Sequence, residues 1–217
     1  MIRVHVLAEG ASVGVAHLTG CRVQPSSARL LETLEEVVAR AVALREDPGR
    51  LARKGQVRNL LRHGRYRPTG RAKPASEYLE REAADRTFPR INNLVDIINL
   101  VSLDTLWPVS LLDVGRAAAT EFQVRWGREG ESYVFNAAGQ VLDLHDLLLV
   151  ATWPEDRACG TPVKDSQATK THDGTREALA VVYAPLAFRE AAVEAARRIA
   201  DLAIEHAGAS ATVFGMP

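Results

Sequence analysis

The sequence predicts an α+β fold, in which helices pack outside a central sheet or a small β-sandwich. Apolar residues recur at helical spacing in three long segments, which begin near Ser26, Asn92 and Ala187. Short alternating or continuous apolar runs, which are typical of strands, open the chain and resume after Trp107. These patterns indicate strands after Trp107 that are extended by an N-terminal strand-helix unit and a C-terminal helix.

The composition is typical of a globular protein, and we expect a single domain over residues 1–217. Hydrophobic residues make up 47% and charged residues 25%, and no apolar run approaches the length of a membrane span. The start lacks a secretory signal, and Cys21 and Cys159 are too few for a disulfide framework, so we expect a cytoplasmic protein. The six His are scattered and no Gly-rich phosphate loop occurs, so neither a metal nor another cofactor is expected.

The N-terminal segment predicts two strands and a helix. Ile2–Leu7 and Ser12–Leu18 alternate in side-chain type and are separated by Glu9-Gly10, which indicates two strands joined by a turn. Ser26 or Ser27 then caps a helix, which we expect to lie at the surface and to pack on a sheet. Its apolar face comprises Leu30, Leu31, Leu34, Val37, Val38, Ala41 and Val42.

The next segment is strongly basic. From Arg45 to Lys73 the chain has eight Arg and two Lys against Glu46 and Asp47, although the formal charge of the whole chain is zero. A helix over about Leu51–Arg62 and a following loop carry these cations, which repel one another unless anions lie close by. A phosphate-bearing partner is one source of such anions, and acidic residues elsewhere in the chain are the other. The candidate phosphate-binding residues are Arg53, Arg58, Arg62, Arg65, Arg67 and Arg71.

Two stripes of different chemistry run along the predicted central helix. The apolar stripe comprises Ile91, Leu94, Val95, Ile98 and Val101, and the polar stripe comprises Asn92, Asp96 and Asn99. No Lys, Glu or Arg occurs between Ile91 and Leu103, so the polar stripe is not expected to face bulk water. Buried amides and carboxylates need hydrogen-bond partners, so this stripe either holds neighbouring loops or lines a polar pocket.

The elements on either side of this helix follow from turn signals and apolar runs. Ser76 is expected to cap a short helix upstream, and Trp107-Pro108 ends the central helix. Val109–Leu112 then begins a strand, and Asp113 follows this strand into a loop. Further strands are predicted at Glu121–Trp126, Ser132–Phe135 and Leu147–Trp153, as a meander, and at Ala178–Ala184. The predicted core comprises Leu94, Val95, Ile98, Val101, Leu103, Leu111, Val124, Val150, Val181 and Val182.

The last two features are a loop and a helix. The stretch from Cys159 to Thr175 is polar throughout, and a long loop at the end of a sheet is a usual place for a site. The alanine-rich segment Ala187–His206 predicts a C-terminal helix that Gly208 ends.

Several of these segments carry a family resemblance. The stretch from Arg67 to Leu79, the block Pro-x-Ile-Asn-x-Leu-Val-Asp-x-x-Asn that begins at Pro89, and Gly130-Glu131 occur in one order. In that order they resemble the editing (B3/B4) domain of the phenylalanyl-tRNA synthetase beta chain, and especially its free-standing relatives. The resemblance covers about residues 58–185, which leaves an N-terminal extension over 1–57 and a C-terminal helix over 187–206.

The resemblance implies an activity and a partner. The family's editing domain removes a wrong amino acid from the 3′ end of tRNA by hydrolysing its ester, so we expect an aminoacyl-tRNA deacylase that acts in trans on misacylated tRNA. The basic segment would then contact tRNA phosphates. On this hypothesis the catalytic residues are Asn99, Ser110 and Asp165, and the substrate-binding residues are Asn92, Asp96, Asp113, Lys164 and Thr175.

Two positions depart from the family pattern. A His usually stands at the position of Ser110, and an acidic residue falls near Leu179 or Ala180. Ester hydrolysis needs less assistance than amide hydrolysis, because the departing hydroxyl is the better leaving group, so a site that positions water and polarises a carbonyl can suffice. The alternative hypothesis is a non-catalytic module that keeps the fold and binds tRNA or a protein partner.

Overall fold

The computed structural model describes residues 2–216. The N-terminal half contains two strands followed by four helices. These elements are β1 (Arg3–Val6), β2 (Ala11–Thr19), α1 (Ala28–Ala43), α2 (Pro48–Leu61), α3 (Ala75–Ala84) and α4 (Asn93–Thr105). None of the helices within this described range is long and apolar enough to cross a membrane.

The C-terminal half contains most of the strands. Its elements are β3 (Val109–Asp113), α5 (Val114–Ala117), β4 (Glu121–Trp126), β5 (Ser132–Val134), β6 (Val141–Asp143), β7 (Leu148–Thr152), β8 (Ala158–Gly160), β9 (Glu177–Pro185), α6 (Arg189–Ala207) and β10 (Ser210–Met216). The predicted α+β class is therefore confirmed, with three strands beyond the predicted ones: β6, β8 and β10.

The strands form two four-stranded sheets and one hairpin. The first sheet has the order β1-β4-β7-β8, the second has the order β10-β2-β9-β3, and β5 pairs with β6. Every pairing is antiparallel except that of β1 with β4. The two opening strands are confirmed, but they lie in different sheets. The predicted meander is wrong, because β4 pairs with β7 across the intervening β5–β6 hairpin.

The second sheet is built around β9. This strand lies between β2 and β3, and its residues from Ala178 to Ala184 are fully buried. Helix α6 covers this sheet by contacting β2, β9 and β10. The helix approaches closely at Gly14, where a Cβ atom would overlap the backbone of Ala192. A strand that is buried on both faces has a continuous run of apolar residues. For this reason β9 was predicted without an alternation of polar and apolar residues.

Helix α4 is the helix predicted from the two stripes, and it lies at the centre of the helical layer. It contacts α1, α3, α6 and β3. The Asn92 side chain caps its first turn by accepting a hydrogen bond from the Val95 backbone N–H at 3.0 Å. The helix ends at Leu106, which adopts a left-handed conformation with φ of 62° before Trp107-Pro108. All ten predicted core residues belong to the main apolar cluster, with Val95 only partly buried.

Three local expectations were wrong. Helix α1 packs on α3 and α4 rather than on a sheet, because α4 itself separates α1 from the strands. Ser76 does not cap α3. The helix begins directly after Pro74, so Ser76 is buried inside its first turn. Asp113 does not lead into a loop, because its side chain caps the single turn of α5 by accepting from the Arg116 backbone N–H at 2.7 Å.

Candidate functional site

A cavity of about 440 Å³ lies where α3, α4, β3 and the loop after β8 meet. One side of the cavity is apolar and is formed by Leu79, Val95, Ile98, Val109, Leu111 and Val163. The polar side chains converge from α4 and the loop, and they are Asn92, Asn99, Lys164, Asp165, Lys170 and Thr171. A concave site with an apolar wall and a few converging polar groups is the usual form of a small-molecule pocket.

The three residues of the polar stripe of α4 differ in whether they hold other segments of the fold or line the cavity. Asp96 does not line the cavity, because its carboxylate accepts hydrogen bonds from the Ser26 hydroxyl at 2.6 Å and the Ile91 backbone N–H at 2.8 Å. Asn92 lines the cavity while its Oδ1 caps the helix. Asn99 lines the cavity, and its half-buried amide makes no hydrogen bond with another residue in the range 2–216. Of the three, Asn99 is the residue whose whole side chain is available to a ligand.

Asn93 is the structural amide that the stripe analysis missed. Its Oδ1 accepts from the Gln24 backbone N–H at 3.1 Å, and its Nδ2 donates to the carbonyls of Arg22 and His206 at 2.9 Å each. The side chain is fully buried and joins the α4 N-terminus to two other segments. The only sequence signal was the paired amide beside Asn92, which helical spacing placed outside the polar stripe.

We expect Asn93→Ala and Asn99→Ala to differ strongly in their effect on stability. Asn93→Ala leaves three backbone groups without the partner that they have in the fold, so the free energy of unfolding should fall by about 2–4 kcal/mol. Asn99→Ala removes a side chain that holds nothing else in the fold, so the loss should stay below about 1 kcal/mol. Urea unfolding followed by circular dichroism measures both. Equal losses would show that Asn99 has a structural role.

Asp165 supplies the carboxylate of the cavity. Its Oδ2 accepts a hydrogen bond from the Leu111 backbone N–H at 3.0 Å, whereas Oδ1 is buried without a hydrogen-bond partner among the described atoms. Burial raises the pKa of Asp165 to about 6, and the neighbouring Ser110 hydroxyl and Lys170 charge oppose that rise. A carboxyl group with a pKa near neutrality can take up and release a proton under physiological conditions.

Ser110 lies behind this carboxylate and does not line the cavity. It is fully buried in β3, where its hydroxyl donates to the Thr161 carbonyl at 3.2 Å and lies 2.9 Å from the Tyr183 hydroxyl. Gly160 makes this packing possible, because a Cβ there would lie 2.5 Å from Asp165 Oδ1 and 2.8 Å from Ser110 Oγ. Ser110 therefore packs behind Asp165 with its hydroxyl bonded to other groups, and it does not contact a ligand in the cavity.

The remaining positions in this region are apolar or structural. Leu179 and Ala180, where the resemblance places an acidic residue, are fully buried in β9. Asp113 and Thr175 pair with each other through a 2.5 Å hydrogen bond, and neither lines the cavity. Asp113 is already engaged in capping α5. The predicted substrate-binding residues at the cavity are thus Asn92 and Lys164.

Lys164 also lines a second depression of about 800 Å³, the basic groove. The cationic side chains of this groove are Arg45, Lys54, Arg58, Arg71, Lys73, Arg81 and Lys164. Its Nζ lies 3.9 Å from the centre of the Phe135 ring. Burial lowers the pKa of Lys164, and the positive charges of Arg71 and Lys170 lower it further. The ammonium group is therefore held among other cations, where an incoming anion or a developing negative charge would be stabilised.

The predicted tRNA-binding arginines fall into two groups. Three of them have internal partners. Arg58 pairs with Glu77 of α3 through both carboxylate oxygens, Arg65 pairs with Asp143 at 2.7 Å, and Arg53 stacks 4.1 Å from the Trp107 ring centre. These three side chains serve the fold, because acidic and aromatic groups distant in sequence neutralise or cover them. The charge count of the basic segment allowed for internal anions but did not identify them.

The other three arginines form no ion pair with a described residue. Arg62 contacts the Asn59 side chain, and Arg67 donates to the backbone carbonyls of Gly64 and Tyr66. Arg71 is exposed at the edge of the basic groove. These charges remain available to an external anion.

Within residues 2–216, no three His, Cys, Asp or Glu side chains come together in a group that could hold a metal ion.

Comparisons with known proteins relate this architecture to one family. A model of the B3/4 domain family matches residues 67–206. A sequence comparison with functionally characterised proteins gives no match. Among solved structures, the fold is similar to an N-terminal fragment of the phenylalanyl-tRNA synthetase beta-subunit from Pyrococcus horikoshii, with a TM-score of 0.53 and 10% sequence identity. That alignment covers 100% of this chain and 54% of the fragment, so the chain spans about half of the fragment's length.

The match to the family model extends over more than half of the chain and includes α3, α4 and every polar residue of the cavity. The structural similarity leads independently to the same fold. The chain therefore belongs to the B3/4 domain family, which is related to the beta-subunit of phenylalanyl-tRNA synthetase.

Proposed function

We propose that the protein is an aminoacyl-tRNA deacylase that acts in trans and hydrolyses the ester of misacylated tRNA. The observation that carries the proposal is the Asp165 carboxylate, which lines the cavity together with Asn99 and Lys164 and whose pKa is raised by burial to about 6. An ionised carboxylate with that pKa is a suitable general base for activating a water molecule.

The reaction needs one water molecule and no other co-reactant. The water oxygen attacks the carbonyl carbon of the ester, Asp165 accepts a proton from that water, and the carbonyl electron pair moves to the oxygen. Collapse of the tetrahedral intermediate breaks the bond to the ribose oxygen, which takes the proton back from Asp165. The products are the free amino acid and a tRNA with a free 3′-terminal hydroxyl group.

Two neighbouring side chains supply complementary charge. Asn99 can donate a hydrogen bond to the carbonyl oxygen through its free amide, and Lys164 can stabilise the negative charge that develops there. The apolar wall accommodates the side chain of the amino acid, as in other ligand pockets. In this arrangement Ser110 packs behind Asp165 and does not replace the family's His as a group that contacts substrate.

Incubation of the purified protein with a panel of misacylated tRNAs tests the proposal. We expect release of the amino acid from at least one of them. If Asn99→Ala releases the amino acid from the same tRNA at an unchanged rate, this amide has no role in the reaction. Release from none of them at enzyme excess would overturn the deacylase proposal. Binding of tRNA without release would then favour the non-catalytic module, which keeps the fold and binds tRNA or a protein partner.

A further inference from the structure

The basic groove and the cavity adjoin each other. Both are lined by Ala75 and Tyr78 of α3 and by Val163 and Lys164 of the loop after β8. The groove is lined by seven cationic side chains and three carboxylates, whereas the cavity has an apolar wall. A ligand that occupies both must therefore join a small, partly apolar group to an anionic chain.

The cations of the groove differ in whether a carboxylate of the protein pairs with them. Lys54 pairs with Glu80 at 2.8 Å, and Arg58 pairs with Glu77. Arg71 and Lys73 are exposed and form no ion pair with any residue from 2 to 216. The uncompensated charge of the groove is thus concentrated near Arg71 and Lys73, where phosphate groups would bind.

Tyr78 stands at the junction of the groove and the cavity. Its side chain is 49% exposed, although its neighbour Leu79 is buried. The Arg81 guanidinium lies over the ring at 5.1 Å from its centre and so covers at most one of its two faces. Tyr66, the other aromatic residue of this region, is partly buried, and its hydroxyl donates to the Ala72 carbonyl at 2.6 Å. Tyr78 is therefore the ring that is available for stacking.

We propose that Tyr78 binds the 3′-terminal adenine of tRNA by stacking, while Arg71 and Lys73 contact the phosphates that precede it. This inference rests on the proposed function for the placement of the amino acid in the cavity. Adenine has a flat aromatic face, and unpaired bases of RNA are recognised by stacking on aromatic side chains. The order of the three contacts from the cavity to the groove matches the order of amino acid, nucleoside and phosphate in an aminoacylated 3′ end.

Binding of uncharged tRNA, with and without its 3′-terminal adenosine, tests this assignment by fluorescence anisotropy. Stacking of one base contributes about 1–3 kcal/mol, so the wild-type protein should bind the complete tRNA at least about fivefold more tightly than the shortened tRNA. Tyr78→Ala should remove this preference, and Tyr78→Phe should retain it. Trp153→Ala is the matched control, because this exposed aromatic residue lies outside the groove and the cavity.

The assignment is overturned if the wild-type protein shows no preference for the complete tRNA, or if Tyr78→Ala keeps the preference. Its failure is distinguishable from failure of the proposed function, because the binding assay contains no ester. A protein that prefers the complete tRNA through Tyr78 but releases no amino acid would support the stacking site and overturn the deacylase proposal. Hydrolysis that continues without any terminal-adenosine preference would overturn the stacking site alone.

Discussion

Asp165→Asn should slow deacylation by about 10²- to 10⁴-fold, which is the usual contribution of a general base. The amide that replaces the carboxylate keeps an oxygen for the Leu111 backbone N–H, but it cannot accept a proton from water. Single-turnover hydrolysis of a tRNA that the wild-type protein deacylates would measure this loss. Because the substitution preserves size and the backbone contact, the expected effect lies in the rate rather than in the fold.

The pH dependence gives this prediction a distinct signature. With the pKa of Asp165 raised to about 6, the wild-type rate should increase as pH rises through that value, because the ionised carboxylate is the active form. Asp165→Asn should lack this increase. Asp173→Asn, in an exposed part of the same loop, is the matched control and should retain the wild-type profile. An unchanged rate in Asp165→Asn would contradict the assignment.

Ionisation of Asp165 should also change the free energy of unfolding. The protonated form favours folding, whereas the ionised form is the one that favours catalysis. The pKa of Asp165 is higher in the folded state than the ordinary value of 3.8, so the folded state binds the proton more tightly than the unfolded state. The wild-type protein should therefore lose about 2–3 kcal/mol from this group as pH rises from about 4 to about 6. Asp165→Asn should not show that contribution. The buried carboxylate thus costs stability at the pH where it is proposed to act.

The central helix shows how much of the fold and of the site followed from sequence. The two stripes around Leu94 and Asn99 predicted a helix, which the structure confirms. Of the polar stripe, Asp96 is buried, whereas Asn92 and Asn99 are partly exposed. The choice between a structural and a ligand-facing stripe could not be made, because it depends on which segments pack against each turn. Ser26 comes from 70 residues upstream to bind Asp96, and no equivalent partner reaches Asn99.

Long-range packing also explains what the sequence could not show about Ser110 and the basic segment. The apolar run Val109–Leu112 predicted the strand that contains Ser110, but not the contact of its hydroxyl with the Tyr183 hydroxyl behind the cavity. Similarly, the charge imbalance from Arg45 to Lys73 was correct as a local count. Its partial neutralisation depends on the packing of α2 against α3, which brings Glu77 to Arg58 and Glu80 to Lys54.

The cations without an internal ion-pair partner give the second large expected effect, which is on tRNA binding. Replacing Arg67, Arg71 and Lys73 together by Glu should weaken tRNA binding on the order of 100-fold at moderate salt, and the slope of log K against log salt should decrease by roughly 2–3. These side chains are exposed and have no ion-pair partner in residues 2–216, so thermal stability should change little. Filter binding across a salt series, with thermal unfolding in parallel, measures both quantities.

Arg58→Glu is the matched control, because it reverses one charge of the same basic segment that has an internal partner. Glu77 is only 7% exposed and would face a like charge, so the free energy of unfolding should fall by about 2 kcal/mol or more. Its effect on the salt slope should be small, since Glu77 already occupies the Arg58 guanidinium. If Arg58→Glu instead reduced the slope without loss of stability, and the triple variant unfolded, the division between structural and phosphate-binding cations would have to be reversed.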